Sequence, residues 1–172
     1  MHEIERSRRY EWQDPAGGHE AAQASTGMEL LQGVMAGKFP PPPIASTIDM
    51  QLVKVDETEA VFAITPQEFH YNPLGTMHGG VFATILDSAL GCCIHARLGR
   101  GQGFTTLTLE VKYLRAATKD TGRLTCTGKV VSLGRQIATS EAEVRDARGK
   151  IYATATSTCI IFAPPPGSPT PT

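Results

Sequence analysis

Residues 72–98 read NPLGTMHGGVFATILDSALGCCIHARL, and this stretch decides the fold. It opens with a Pro/Gly turn and a glycine pair, Gly79 and Gly80. Val81, Phe82, Ile85, Leu86, Ala89, Leu90, Cys93 and Ile94 then recur at three- and four-residue intervals, which is a helical period. Apolar residues cover most of the circumference, so this helix belongs in a core rather than on a surface. One carboxylate, Asp87, sits in its middle, and an acid there is costly to bury without a partner or a task.

The flanks on the C-terminal side are strands. The loop 99–103 ends the helix, and segments 105–114, 122–131, 136–145 and 150–162 follow, each with apolar alternation. In the first of them Leu107, Leu109, Val111 and Tyr113 oppose Thr106, Thr108, Glu110 and Lys112. Short Gly/Asp turns join these segments, which predicts an antiparallel meander of four strands. On the N-terminal side, 47–55 and 60–64 form a hairpin about Asp56, Glu57 and Thr58. Before it, a short helix begins at Thr26, where Thr26 and Glu29 make a capping-box pair. Met28, Leu31, Val34 and Met35 form its buried face, Gly37 ends it, and Pro40 to Pro43 form a stiff spacer. The class is α+β: a curved antiparallel sheet around one long central helix. We divide the chain into an N-terminal extension (1–25), one domain (26–162) and a disordered Pro-rich tail (163–172). Tyr10 and Trp12 are the extension's candidates for docking on a neighbour.

Composition narrows the function. At 172 residues and a net charge of −1, without a large basic run, the chain is no general nucleic-acid binder. The central helix carries Asp87, His95 and Arg97 and is no membrane span, and the charged N-terminus lacks the apolar region of a signal peptide. Four cysteines, two of them adjacent in the helix, form no secreted disulfide framework. The expected setting is cytoplasmic, with reduced thiols.

The phrase Asn72-Pro73-Leu74-Gly75-Thr76-Met77-His78-Gly79-Gly80, followed by Asp87, resembles the signature of hotdog-fold acyl-CoA thioesterases of the phenylacetate-pathway type. The likeness extends over about 26–162 and includes Val111-Lys112-Tyr113-Leu114-Arg115. It implies a hotdog fold, hydrolysis of coenzyme A thioesters without metal or other cofactor, and assembly as a homodimer or homotetramer. It also implies that Asp87 is the catalytic carboxylate, that the Gly79 N–H polarises the carbonyl, and that Asn72 and Thr106 position thioester or water.

The residue types suit that chemistry independently. A thioester needs charge stabilised on its carbonyl oxygen and a base or nucleophile, whereas its thiol leaving group, with a pKa of about 8.5, needs little acid assistance. Glycines at a helix start present free N–H groups and the positive dipole end to an oxyanion. Geometry adds a constraint. Gly79 and Asp87 are eight residues apart on one helix, roughly 12 Å, too far for both to touch one carbonyl. If both act on the same thioester, Asn72 and Gly79 of one subunit face Asp87 and Thr106 of another, in a homodimer with composite sites. Coenzyme A phosphates call for cations at the mouth, among Lys112, Arg115, Arg123 and Arg135. Gly134, with Arg135 and Gln136, offers backbone N–H groups to the phosphates or the pantetheine arm. His78, Thr108 and Tyr113 complete the substrate-facing set.

Competing readings are structural. Asp87 could pair with Arg97, Thr106 could be only a strand former, and His78 reads as a helix-start residue rather than a base. Cys92, Cys93 and His95 mimic a metal cluster, but adjacent helical cysteines point about 100° apart. Ser88 lacks the Gly-x-Ser-x-Gly context of a serine hydrolase. A non-catalytic acyl-CoA binding protein and a hydroxyacyl thioester dehydratase are the alternatives on the same fold.

Overall fold

A computed structural model describes residues 6–162. Its helices are α1 (Ala16–Ala24), α2 (Gly27–Met35), α3 (Pro43–Ile48) and α4 (Gly79–His95). Its strands are β1 (Met50–Val55), β2 (Glu59–Ile64), β3 (Gly103–Tyr113), β4 (Leu124–Leu133), β5 (Ile137–Asp146) and β6 (Ile151–Phe162). The strands form one antiparallel sheet in the order β1-β2-β4-β5-β6-β3, curved around α4 in the hotdog arrangement.

The meander is shorter than predicted. β4, β5 and β6 run consecutively, but β3 does not pair with β4. Pairing with β2 from Leu124 to Lys129 occupies that edge of β4, so β3 closes on β6 at the far side. β3 is therefore an edge strand, with one row of its backbone groups unpaired among the described residues.

The helix fills the concave face. Ile85, Leu86, Ala89, Leu90 and Ile94 are fully buried against Phe62, Ile64, Leu124, Cys126 and Val144 or their neighbours. Gly128 sets the closest approach of helix to sheet, since a Cβ there would stand 2.3 Å from the Ala89 carbonyl oxygen. The buried Ser140 hydroxyl donates to the Leu90 carbonyl at 3.1 Å, tying β5 to the helix.

At the N-terminal side the Thr26–Glu29 capping box forms as expected. Gly37, at φ 72°, follows the end of α2. Leu31 is buried, but Met35 is exposed because it lies at the last turn, past the face that meets the sheet. The strand expected from residue 47 begins at Met50 instead. Pro43 occupies the first turn of α3, where its fixed φ favours a helix, and Asp49 ends it in the left-handed region at φ 55°. Within the extension, α1 packs beside α2 and buries Ala21, whereas Tyr10 and Trp12 are exposed and contact each other. Arg8 donates to the Ser46 and Thr47 carbonyls at the end of α3 and lies 4.0 Å over the Phe69 ring. The tail assigned to 163–172 lies outside the described residues.

Candidate active site

The site begins in the loop ahead of α4. His70 is buried; its Nδ1 accepts from the Gln67 N–H at 3.0 Å, so its Nε2 carries the proton and donates to the Ile48 carbonyl at 2.9 Å. Burial pushes this imidazole below its ordinary pKa. The His78 N–H donates to the His70 carbonyl, the Met77 N–H to the Ala117 carbonyl, and the Lys119 N–H to the Tyr71 hydroxyl. The loop is thus held from both sides. Sequence reasoning passed over His70, whose only signal was a histidine in a segment too short to pack by itself.

Asn72 organises the turn. Its Oδ1 accepts from the Leu74 and Thr76 N–H groups, and its Nδ2 donates to the Thr76 hydroxyl. Its side chain shapes the loop that delivers Gly79. His78 caps α4, its Nδ1 accepting from the Gly80 N–H at 2.8 Å, as the helix-start reading expects. Among the described residues the Gly79 N–H has no acceptor, while the Gly79 carbonyl accepts from the Tyr113 hydroxyl at 3.2 Å. Asn72, Gly79, Phe82, Tyr113 and Arg115 line an open recess of about 350 Å³.

The second half lies two turns along the helix. Asp87 is half-buried, and the Thr106 hydroxyl donates to its Oδ1 at 2.9 Å. Strict alternation would have turned Thr106 outward and Leu107 inward. A bulge between Thr106 and Thr108 reverses that order. Leu107 is left exposed, and Thr106 joins Leu109 and Val111 on the face toward α4. Among the described residues Asp87 forms no ion pair; Arg97 instead donates to the Glu57 carbonyl.

Within one chain the halves stay apart. β3 runs opposite to α4, so Tyr113 meets Gly79 and Thr106 meets Asp87, seven strand residues away, roughly 20 Å. Arg115 lies with the Gly79 half and donates to the Ile151 carbonyl. The β4–β5 hairpin of Gly134, Arg135 and Gln136 lies at the other end of the sheet, where Ile137 pairs with Ile160 near Thr106. The Gly134 N–H is engaged by the Ile137 carbonyl at 2.8 Å, because it closes the hairpin, so it is not free for a phosphate. Thr108 is exposed and pairs with Thr158, away from Asp87, and Lys112 pairs with Glu110.

Two cysteines lie on α4, Cys92 half-buried and Cys93 buried. Burial pushes Cys92 and Cys93 up to about 12, so both are protonated thiols at neutral pH. Cys93 donates to the Leu90 carbonyl, and His95 packs on Phe104. Among the described residues no helix is long and apolar enough to cross a membrane.

Known proteins agree with this architecture. A family model described as the thioesterase superfamily matches residues 74–153. The 1,4-dihydroxy-2-naphthoyl-CoA hydrolase of Listeria monocytogenes is 24% identical over 112 residues, 63% of this chain and 86% of that protein. A crystal structure of a phenylacetic acid degradation-related protein from Ralstonia eutropha is 27% identical, covers 76% of this chain and 98% of its own, and superposes with a TM-score of 0.69. The PaaI protein of the E. coli phenylacetic acid degradation operon, 19% identical over 81% of this chain and 96% of its own, shares the fold at a TM-score of 0.69.

Proposed function

We propose that this hotdog chain is a thioester hydrolase acting on acyl-CoA, with Asp87 as its carboxylate and the Gly79 N–H of a second copy as oxyanion donor. The observation that carries the reading is the hydrogen bond from Thr106 to Asp87 Oδ1. It fixes one carboxylate oxygen and leaves Oδ2 without a partner among the described residues, on a helix otherwise packed with apolar side chains. Such a group either attacks the thioester carbonyl itself or removes a proton from the water that does. The new C–O bond pushes charge onto the carbonyl oxygen, where a helix-start N–H stabilises it. Collapse breaks the C–S bond and releases the CoA thiolate. In the general-base route the proton taken from water passes to that thiolate; in the nucleophilic route a water then cleaves the acyl–Asp87 anhydride, which returns the carboxylate, yields the free acid and supplies the thiolate's proton.

The unpaired edge of β3 supports the composite arrangement. If two copies pair antiparallel along β3, a two-fold axis near Leu109 and Glu110 lays Thr106 of one beside Tyr113 of the other. Since Tyr113 bonds the Gly79 carbonyl, that register carries each copy's Gly79 toward the other's Asp87. The same pairing gathers Arg115 of one copy and Arg135 with Gln136 of the other around one mouth, as the diphosphate of CoA needs. A homodimer pairing further into a homotetramer, in the cytoplasm where CoA thioesters are at hand, completes the reading. Its finer kinship, to the phenylacetate-pathway type, is supported by the Asn72–Asp87 spacing and the likeness to the Ralstonia eutropha protein. The test is thiol release from an acyl-CoA panel by wild type and Asp87→Asn. Loss of turnover in a folded variant is expected; turnover near wild type rejects the assignment.

A further inference from the structure

Two demands meet at Gly79. Its N–H has no acceptor among the described residues, as an oxyanion donor requires, and yet the residue has to be held still at the start of α4. Local chemistry does not hold it, because α4 opens on two glycines in succession, the residue type with most backbone freedom. The His78 cap reaches only the second of them, through the Gly80 N–H at 2.8 Å. A hold on Gly79 that spares its N–H has to come through its carbonyl, whose two lone pairs accept a donor beside the helix's own. The Tyr113 hydroxyl is that donor, at 3.2 Å. Its ring lies against the glycine, since a Cβ there would stand 3.3 Å from Tyr113 Cζ. Phe82, buried and one turn along α4, meets the ring at an edge-on angle with centroids 6.3 Å apart.

We propose that Tyr113 is a positioning residue for the hydrolysis: its hydroxyl fixes the first residue of α4 so that the Gly79 N–H points at the thioester oxygen. This rests on the thioester reading of Asp87 and Gly79. The tether starts from the strand that carries the other half of the site. Thr106 and Tyr113 both face α4 from β3, and each gives its hydroxyl to the helix, one at Asp87 and the other at Gly79. The Tyr113 backbone is itself fixed in the sheet, opposite Ala153 of β6. One strand therefore sets the carboxylate and the amide alike. When two copies pair along β3, the span from the amide of one to the carboxylate of the other is then governed by the strand as well as by the loop ahead of α4.

The experiment is steady-state thiol release by wild type and Tyr113→Phe, with thermal melting of each, on the member of the acyl-CoA panel that wild type cleaves best. Tyr113 is 55% exposed and phenylalanine keeps its ring, so the variant should melt with wild type. Its kcat should fall about three- to tenfold, the factor that one neutral hydrogen bond supplies, with KM within about twofold. The fall should be the same on the matching N-acetylcysteamine thioester, which lacks the nucleotide of CoA. In a Gly79→Pro background, where the N–H is already gone, removing the hydroxyl should lower kcat by less than about twofold. A wild-type kcat in Tyr113→Phe overturns the tether. So does a change confined to KM, a fall that vanishes on the truncated thioester, or a full further fall on top of Gly79→Pro, since each places the hydroxyl on the substrate instead. All of these leave hydrolysis at Asp87 standing. A wild type that cleaves no member of the panel overturns the thioester reading and the tether with it.

Discussion

Replacing Thr106 with valine tests the site at its most specific contact. Valine keeps the branched shape that suits β3 and deletes only the hydroxyl that donates to Asp87 at 2.9 Å. A hydrogen bond to a charged group contributes about 1.5–3 kcal/mol. Both partners are half-buried, so water replaces part of the bond in the resting protein, and the loss in folding stability should stay within about 1 kcal/mol. Catalysis is more exposed to the change. Without the hydroxyl the carboxylate turns among its rotamers, and the attacking atom or water is placed correctly only part of the time. A loss of about 1.4–2.7 kcal/mol of transition-state stabilisation corresponds to a ten- to hundredfold fall in rate.

Thiol release from acyl-CoA, run beside thermal melting, reads both quantities. The fall should lie in kcat with KM little moved, because in the proposed mechanism Thr106 acts on the reacting group rather than on the CoA arm. Thr106→Ser, which restores the hydroxyl, should recover most of the rate. A Thr106→Val enzyme with wild-type kcat, or a Thr106→Ser enzyme as slow as the valine variant, would show that the contact is only a strand packing feature.

Gly79→Pro deletes the N–H assigned to the oxyanion at a position where proline starts helices well, and His78 already holds the extended φ −61°, ψ 139° that precedes proline; kcat should fall by roughly 10²–10³ while the fold survives, as circular dichroism would verify. Mixing inactive Gly79→Pro and Asp87→Asn chains should restore roughly a quarter of wild-type activity through heterodimers with one intact composite site, and no recovery after exchange would place both groups in one chain. Gly128→Ala drives a methyl against the Ala89 carbonyl, 2.3 Å from its Cβ position, and should cost about 2 kcal/mol, read as a melting temperature lower by roughly 4–8 °C. His70 has a pKa lowered by burial, so the unfolded chain binds its proton first; its contribution to stability is full above the ordinary histidine pKa and declines as pH falls below it. Melting across that range should show the loss in wild type and not in His70→Gln.

Much of this was legible because local chemistry and tertiary contacts ask for the same residues. The three- and four-residue spacing of Val81 to Ile94 names both a helix and a core, and Thr26 with Glu29 fixes a helix start through hydrogen bonds that need no distant partner. What was not legible depends on pairing between distant segments. Nothing in residues 103–113 says that β3 will lie beside β6, since the competing edge of β4 is taken by β2. The bulge at Leu107 is likewise set by the partner strand, and alternation read from the sequence alone points Thr106 the wrong way. Nor does the sequence show that the hairpin engages the Gly134 N–H, or that the Asn72 amide holds the turn before α4.

The bulge connects these observations. β3 has to bury Leu109 and Val111 against α4, keep Glu110 and Lys112 outward, and still set a hydroxyl on Asp87. A regular strand cannot do all three, because a period of two would lay Leu107 over the carboxylate and leave the acid without a donor. One extra residue resolves the conflict at the expense of a regular ladder with β6. That irregularity falls on the edge strand rather than in the middle of the sheet, where a broken ladder would disturb two neighbours. It also exposes Leu107 on the edge that a second copy would cover, so the feature that aims Thr106 at Asp87 adds apolar surface to the interface that would bring Gly79 to the same thioester.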